Sequence, residues 1–182
     1  MTLITGKSGQ TMPQKNTQSL LRFKNAFAQL LIDRPLDRIT VQDVVRTAEV
    51  NRSTFYRHFL DLDDFLDWLA DNMLEEITQQ FTITDQDLDF TGFYQYAMAN
   101  QTLLEAFLGT QRWTSLVTQL QSFVTKRYTA LLQQQASSIP PTIQATFLIG
   151  GHIALFNWRM QQPTRPSPSQ MAQYHRALSQ PR

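Results

Sequence analysis

Residues 50–59 read VNRSTFYRHF, two arginines, a histidine, a tyrosine and two hydroxyl residues threaded around Val50, Phe55 and Phe59. At 100° per residue, a helix here puts Phe55 and Phe59 on one side and Ser53, Tyr56 and Arg57 roughly opposite, with Thr54 and His58 on the flank. Arginine can pair bidentately with guanine, Ser and Thr can meet base edges or phosphates, and Tyr and His can donate to phosphate. One face suits a core and the other a polyanion. The plainer alternative is an amphipathic helix whose polar face meets only water.

The flanking sequence supplies the frame. Upstream, ITVQDVVRTA (39–48) has Thr40 placed as a helix N-cap and Val41, Val44, Val45 and Ala48 at i, i+3, i+4 and i+7. A tight connection around Glu49 leads to Asn51, a second N-cap, with Val50 and Phe55 at the spacing of a hydrophobic staple. Two short helices joined by about three residues, the second with donors on one face, are the makings of a helix-turn-helix. Before them, Leu20, Phe23, Phe27, Leu30 and Leu31 recur at helical spacing until DRP (33–35) stops the helix. After them, Asp61 opens a long helix on Leu62, Phe65, Leu66, Leu69, Met73, Leu74, Ile77 and Phe81, its early acids matching the helix dipole.

Farther along, residues 82–89 read as a loop, followed by helices over 90–99, 101–109, 111–136, 140–162 and 168–179, with 133–138 also readable as a turn. Ser167, Pro168 and Gln170 mark the last start as cap, first-turn proline and capping-box partner. No strand pattern competes, so the fold class is all-α. Residues 1–15 form a polar tail expected to be disordered, 16–62 a helix-turn-helix head, and 63–182 a larger helical body.

Charge separates these parts. Residues 1–60 hold nine Lys/Arg against four acids, 61–105 eleven acids and no Lys or Arg, and 106–182 seven Lys/Arg and no acids. A basic head facing a polyanion accounts for this pattern; solvated helix faces account for it equally on charge alone. With no cysteine and three histidines lacking ligand spacing, neither disulfides, a metal site nor a cofactor is expected. The most apolar run, FLIGGHIALFNW, is far shorter than a membrane span, and the N-terminus lacks a signal-peptide core, so a soluble cytoplasmic protein is expected. No Ser, His and Asp grouping is specified by spacing, and Glu75 and Glu76 are adjacent on a helix, so an enzyme is not expected.

Within the body, Phe93, Tyr94 and Trp113 sit near polar neighbours and are candidates to line an effector pocket, the alternative for each being core. Gln95, Asn100 and Arg112 are further sources of polarity. In IGGHIALFNW and the residue chain before it, Phe147, Gly150, Gly151, Ala154 and Trp158 share one helix face. Their small members would let another helix approach closely, as at a subunit interface; burial within one chain is the alternative. His152 reads as an interface or core histidine.

The stretch ITVQDVVRTAEVNRSTFYRHFLDLDDFLDWLADNM closely resembles the N-terminal DNA-binding domain of the tetracycline-repressor (TetR) family of bacterial transcriptional regulators, over about residues 17–80. FLIGGHIALFNWRMQQPTRPSPSQMAQYHRAL is similar to the end of one branch of that family. The resemblance implies a homodimer of all-helical subunits, each with a three-helix head on a body that binds an effector and its partner. It places Thr40, Gln42, Arg52, Ser53, Thr54, Tyr56, Arg57 and His58 at DNA-contact positions, on a near-palindromic operator, and leaves Phe55 and Phe59 to the core. Two departures stand out. Glu49 occupies a turn position often filled by glycine, at a cost of about 1 kcal/mol if left-handed, and Leu62 replaces a lysine common just inside the fourth helix. A co-regulator on the same scaffold, without DNA binding of its own, is the alternative function.

Overall fold

The computed structural model describes residues 14–80, 82–83, 88–134 and 137–179. The expectation of a disordered tail over 1–15 falls almost wholly outside these residues. The chain divides into two compact units, residues 1–62 and 63–182.

In the first unit, α1 (Gln14–Asp33), a single 3₁₀ turn (Leu36–Arg38), α2 (Val41–Thr47) and α3 (Arg52–Tyr56) follow one another. The first helix buries Phe23, Ala26, Phe27 and Leu30, one stripe at i, i+3, i+4 and i+7. Phe55 sits edge-on to Phe23 with centroids 5.4 Å apart, and Phe59 lies 5.2 Å from Phe55. Each such buried ring contributes about 1.5–3 kcal/mol relative to exposure. Only five residues of the recognition segment are regular α-helix, although Phe59 N still donates to Phe55 O at 3.0 Å, which keeps both rings on the inward face.

The second helix starts on a reciprocal capping box, with Asp43 N donating to Thr40 Oγ1 (3.3 Å) and Thr40 N to Asp43 Oδ2 (3.1 Å). It ends in a left-handed turn. Glu49 has φ 53°, its N–H donates to Arg46 O and Val50 N–H to Val45 O, which is the two-bond Schellman closure of a helix C-terminus.

The second unit contains α4 (Leu62–Gln79, its first residue lying in the first unit), α5 (Thr91–Ala99), α6 (Gln101–Phe107), α7 (Gln111–Leu132), α8 (Pro141–Gln161) and α9 (Pro168–Ser179). Two two-residue strands, β1 (Thr82–Ile83) and β2 (Leu88–Asp89), pair antiparallel where the sequence reads as a loop. A ladder this short has no periodicity to read. The sixth helix stops two residues sooner than its periodicity suggests because Gly109, at φ 78°, reverses the chain. The seventh ends at Leu132 rather than 136, and residues 135–136 lie outside those described. Phe65, Leu69, Met73, Leu104, Leu116, Leu120, Ile149 and Phe156 are buried core positions of this unit. The box at α9 is formed, Gln170 N donating to Ser167 Oγ (3.3 Å) and Ser167 N to Gln170 Oε1 (2.9 Å). Among the described residues, no helix is long and apolar enough to cross a membrane.

Candidate nucleic-acid interface

The packing of Phe23, Phe55 and Phe59 decides which side chains of the recognition segment stay outside. Arg52, Ser53, Tyr56 and Arg57 are exposed and Thr54 is half-buried. Two contacts hold the long donors in place: Arg52 Nη2 donates to Tyr56 Oη at 3.1 Å with its guanidinium 5.4 Å from that ring's centroid, and Arg57 Nη2 donates to Thr54 Oγ1 at 3.3 Å. Such pairs reduce the entropy lost when a donor meets a ligand, at the cost of an exchange of partners.

Thr40 and Gln42 are exposed at the start of α2. The Thr40 hydroxyl already donates to Asp43 Oδ2 at 2.6 Å. Asp43 is the residue the sequence reading passed over. Its carboxylate gathers Thr40, Arg46 at 2.8 Å and Arg34 at 3.3 Å, and the Thr40 hydrogen bonds, then the two guanidinium groups, hold it below the usual carboxylate range against the opposing effect of burial. The signal was present as Thr-x-x-Asp.

His58 is placed differently from the other candidates. Its ring packs at 6.3 Å from Phe23 and 5.9 Å from Phe59, and Nε2 is buried with no hydrogen-bond partner among the described residues. Burial, and then the Arg57 charge, lower its basicity. This half-buried ring is wall rather than reach. Arg22 on α1 enters instead: with Gln18, Asn51, Thr54 and Arg57 it lines a concavity of about 500 Å³, and Glu49 lines it too. Leu62 is half-buried at the start of α4.

In the second unit, Phe93, Tyr94 and Trp113 do come together, all against Phe156, at centroid distances of 4.8, 6.3 and 5.7 Å. Phe93 and Tyr94 are buried and Trp113 half-buried, so these rings fill space with one another. Open volume lies between α4 and α7 in two adjoining clefts of about 400 and 590 Å³ that share Asp71 and Gln119. Arg112 ties one end, donating to Asp67 Oδ1 (2.7 Å) and Asp63 Oδ1 (3.0 Å). Asn100 turns back onto Tyr96 O, and Gln95 is exposed.

Of the five residues on the shared face of α8, Phe147 (80% exposed) and Trp158 (47%) stand in solvent, Gly151 and Ala154 are exposed, and Gly150 is half-buried. Ile143 extends the stripe, and α9 adds exposed Tyr174 and Leu178.

Residues 25–67 match the family described as bacterial regulatory proteins, tetR family. Over 49 residues the chain is 43% identical to the uncharacterized HTH-type transcriptional regulator YwcC of Bacillus subtilis (strain 168), a segment covering 27% of this chain and 22% of that protein. Over 52 residues it is 33% identical to the HTH-type dhaKLM operon transcriptional activator DhaS of Lactococcus lactis subsp. lactis (strain IL1403), covering 29% and 28%. The similarity to these curated relatives thus spans less than a third of their length. The whole fold is similar to that of a TetR transcriptional regulator from Streptococcus agalactiae 2603V, with a TM-score of 0.62 at 21% identity, covering 92% of this chain and 97% of that one.

Proposed function

We propose that this chain, whose head carries the TetR-family sequence and whose fold is that of TetR-family regulators, acts as a dimeric, DNA-binding regulator of transcription. The observation that carries the reading is the outward face of α3, where Arg52, Ser53, Tyr56 and Arg57 stand exposed over a core of phenylalanines. Arg57 is the base reader, by bidentate pairing with guanine. Tyr56, Thr40, Gln42, Ser53, Thr54 and Arg52 position the head on phosphates or base edges, Arg22 adds a phosphate contact from α1, and His58 supports the face from beneath.

Two copies meet through the exposed stripe of α8 and the outward residues of α9, since large apolar side chains in one row are what a second copy covers. A two-fold pair of heads reads half-sites about one helical turn apart or a multiple of it, so the operator is near-palindromic. We seat a small-molecule effector in the clefts between α4 and α7, whose volumes suit one, with Phe123 as the aromatic lining of the larger cleft; Phe93, Tyr94 and Trp113 pack together on Phe156 and belong to neither lining.

The test is fluorescence anisotropy and footprinting of the full chain on the DNA upstream of its own coding region. Tight, salt-sensitive binding with a symmetric footprint is expected. Binding without sequence preference at any salt concentration would favour the co-regulator.

A further inference from the structure

The last helix, α9, is anchored by few side chains. Of its twelve residues, Met171, Ala172 and His175 are buried. His175 is 1% exposed and makes a hydrogen bond through each ring nitrogen: Nε2 lies 2.7 Å from Tyr94 Oη on α5, and Nδ1 lies 2.5 Å from His152 Nδ1 on α8. Beyond His152, Nε2 is 3.2 Å from Ser179 Oγ, which in turn donates to His175 O at 2.8 Å. Phe90 stacks on the His175 ring at 4.2 Å.

The proton positions follow from donor arithmetic with both rings neutral. Ser179 spends its single proton on the His175 carbonyl, so its oxygen accepts from His152 Nε2–H. That leaves His152 Nδ1 bare, so His175 donates from Nδ1–H. Its Nε2 is therefore bare and accepts the Tyr94 hydroxyl. One arrangement satisfies every atom along the chain Tyr94, His175, His152, Ser179.

Withdrawal of the Tyr94 hydroxyl takes from the buried His175 Nε2 the hydrogen bond that ties α9 to α5, a costly loss for a polar atom in an apolar setting. The same helix presents Tyr174 and Leu178 to solvent, and the partner residue His152 lies next to Gly151 on α8. Tyr94 is also the link most deeply set in the body: its ring packs on Phe93 at 5.0 Å and carries the Arg159 guanidinium at 5.4 Å.

We propose that Tyr94 is a positioning residue for the dimer face: acting through His175 and His152, its hydroxyl fixes the rotation of α9 against α8, so that a shift of α5 is passed to the surface where two copies meet. This rests on the dimer reading above. It gives the body a mechanical route from its aromatic interior to its assembly surface.

The experiment uses Tyr94→Phe in the full chain, with two readouts. Two-bond ¹H–¹⁵N spectra of the wild-type histidine rings are expected to show His175 protonated on Nδ1 and His152 on Nε2, and the variant to move the His175 Nε2 resonance alone. Sedimentation is expected to show the dimer weakened about tenfold, the size of one buried hydrogen bond, with α9 amides exchanging faster. Ser179→Ala, at the half-buried end of the chain, is expected to weaken the dimer in the same direction by about threefold, and carries the test if the first variant does not fold. An Nε2-protonated His175, or wild-type dimer affinity once that nitrogen is uncovered, overturns the proposal. A wild-type chain that stays monomeric also overturns it, and the tautomers then tell whether the relay or only the dimer reading has failed.

Discussion

In the head, Arg52, Tyr56 and Arg57 stay outside while phenylalanines fill the centre; in the body, His152, Arg159 and His175 lie inside while Phe147, Trp158 and Tyr174 face solvent. The two surfaces therefore ask for different partners. Exposed donors over an apolar core are satisfied by a polyanion, whereas a row of exposed apolar residues is satisfied by another apolar row. The interiors differ to match. The head's centre is packed rings, with its directional bonds at the Asp43 cap and the Glu49 turn, whereas at the α5, α8 and α9 junction the directional bonds run between buried side chains of the core itself.

The sharpest way to break this contrast is to charge the body's apolar stripe. Gly151 is exposed, and a Cβ there meets no heavy atom within 4 Å among the described residues beyond its chain neighbours and its own helix backbone. Gly151→Arg is therefore expected to leave the fold intact and, by burying an unpaired cation at a two-fold contact, to weaken the dimer by about 3–5 kcal/mol. Sedimentation equilibrium measures it. A fully dimeric variant at low micromolar concentration would show that the stripe is covered by something other than a second copy.

On the head, the matching test separates reading from positioning. Arg57→Ala is expected to cost about 1–3 kcal/mol per half-site and to relax preference at one base position. Tyr56→Phe, by removing a phosphate donor, should weaken all sequences by a similar factor. Small and equal losses from both, in anisotropy titrations across an operator library, would reduce the outward face of α3 to a solvated surface.

Acid should act more strongly on the body than on the head. Burial, and then the neighbouring His152, push His175 down to about 3, with the Arg159 cation lying over the Tyr94 ring at the other end of the bond. The unfolded histidine takes its proton near 6.5. Between those values the unfolded state binds more protons, so this contribution is complete above pH 6.5 and is lost as pH falls below it, at about 1.4 kcal/mol per unit. Lowering pH from 6.5 to 5 is expected to cost the body about 2 kcal/mol by this route, and His175→Gln to flatten that slope in urea melts. His58 is shifted in the same direction, but sits half-buried, and the head's transition should move less. Equal slopes with and without His175 would mean that the ring is open to water.

What the sequence made legible was whatever repeats or sits within four residues. The helices follow from apolar periodicity and Thr40 and Ser167 from capping chemistry, while Glu49 was marked only by the resemblance, as a residue standing where glycine is common, and its φ is indeed positive. Asn51 precedes α3 as expected of a cap, yet makes no side-chain capping bond. The relay was beyond reach because Tyr94 and His175 are 81 residues apart and nothing in either neighbourhood specifies the other. For the same reason Phe93, Tyr94 and Trp113 could be singled out as aromatic, while their convergence on Phe156 depends on how α5, α7 and α8 pack.

The smallest effect falls at the turn that the head's geometry depends on. Glu49 holds φ 53°, a conformation that costs a residue with a Cβ about 1–2 kcal/mol. Glycine removes that strain and returns part of the gain as unfolded-state entropy, so Glu49→Gly should stabilise the head by about 0.5–1 kcal/mol. It also removes a carboxylate from the concavity that holds Arg22 and Arg57, and DNA affinity should rise modestly at low salt and little at high salt. Glu49→Ala separates the two causes, because it discharges the position but keeps the Cβ. Alanine should reproduce the gain in affinity without the gain in stability. If thermal melts show both variants equally stable, the turn is not left-handed in solution and the Schellman closure does not set the angle between α2 and α3. If neither variant changes affinity at low salt, Glu49 lies away from the phosphates and the concavity is not part of the DNA surface.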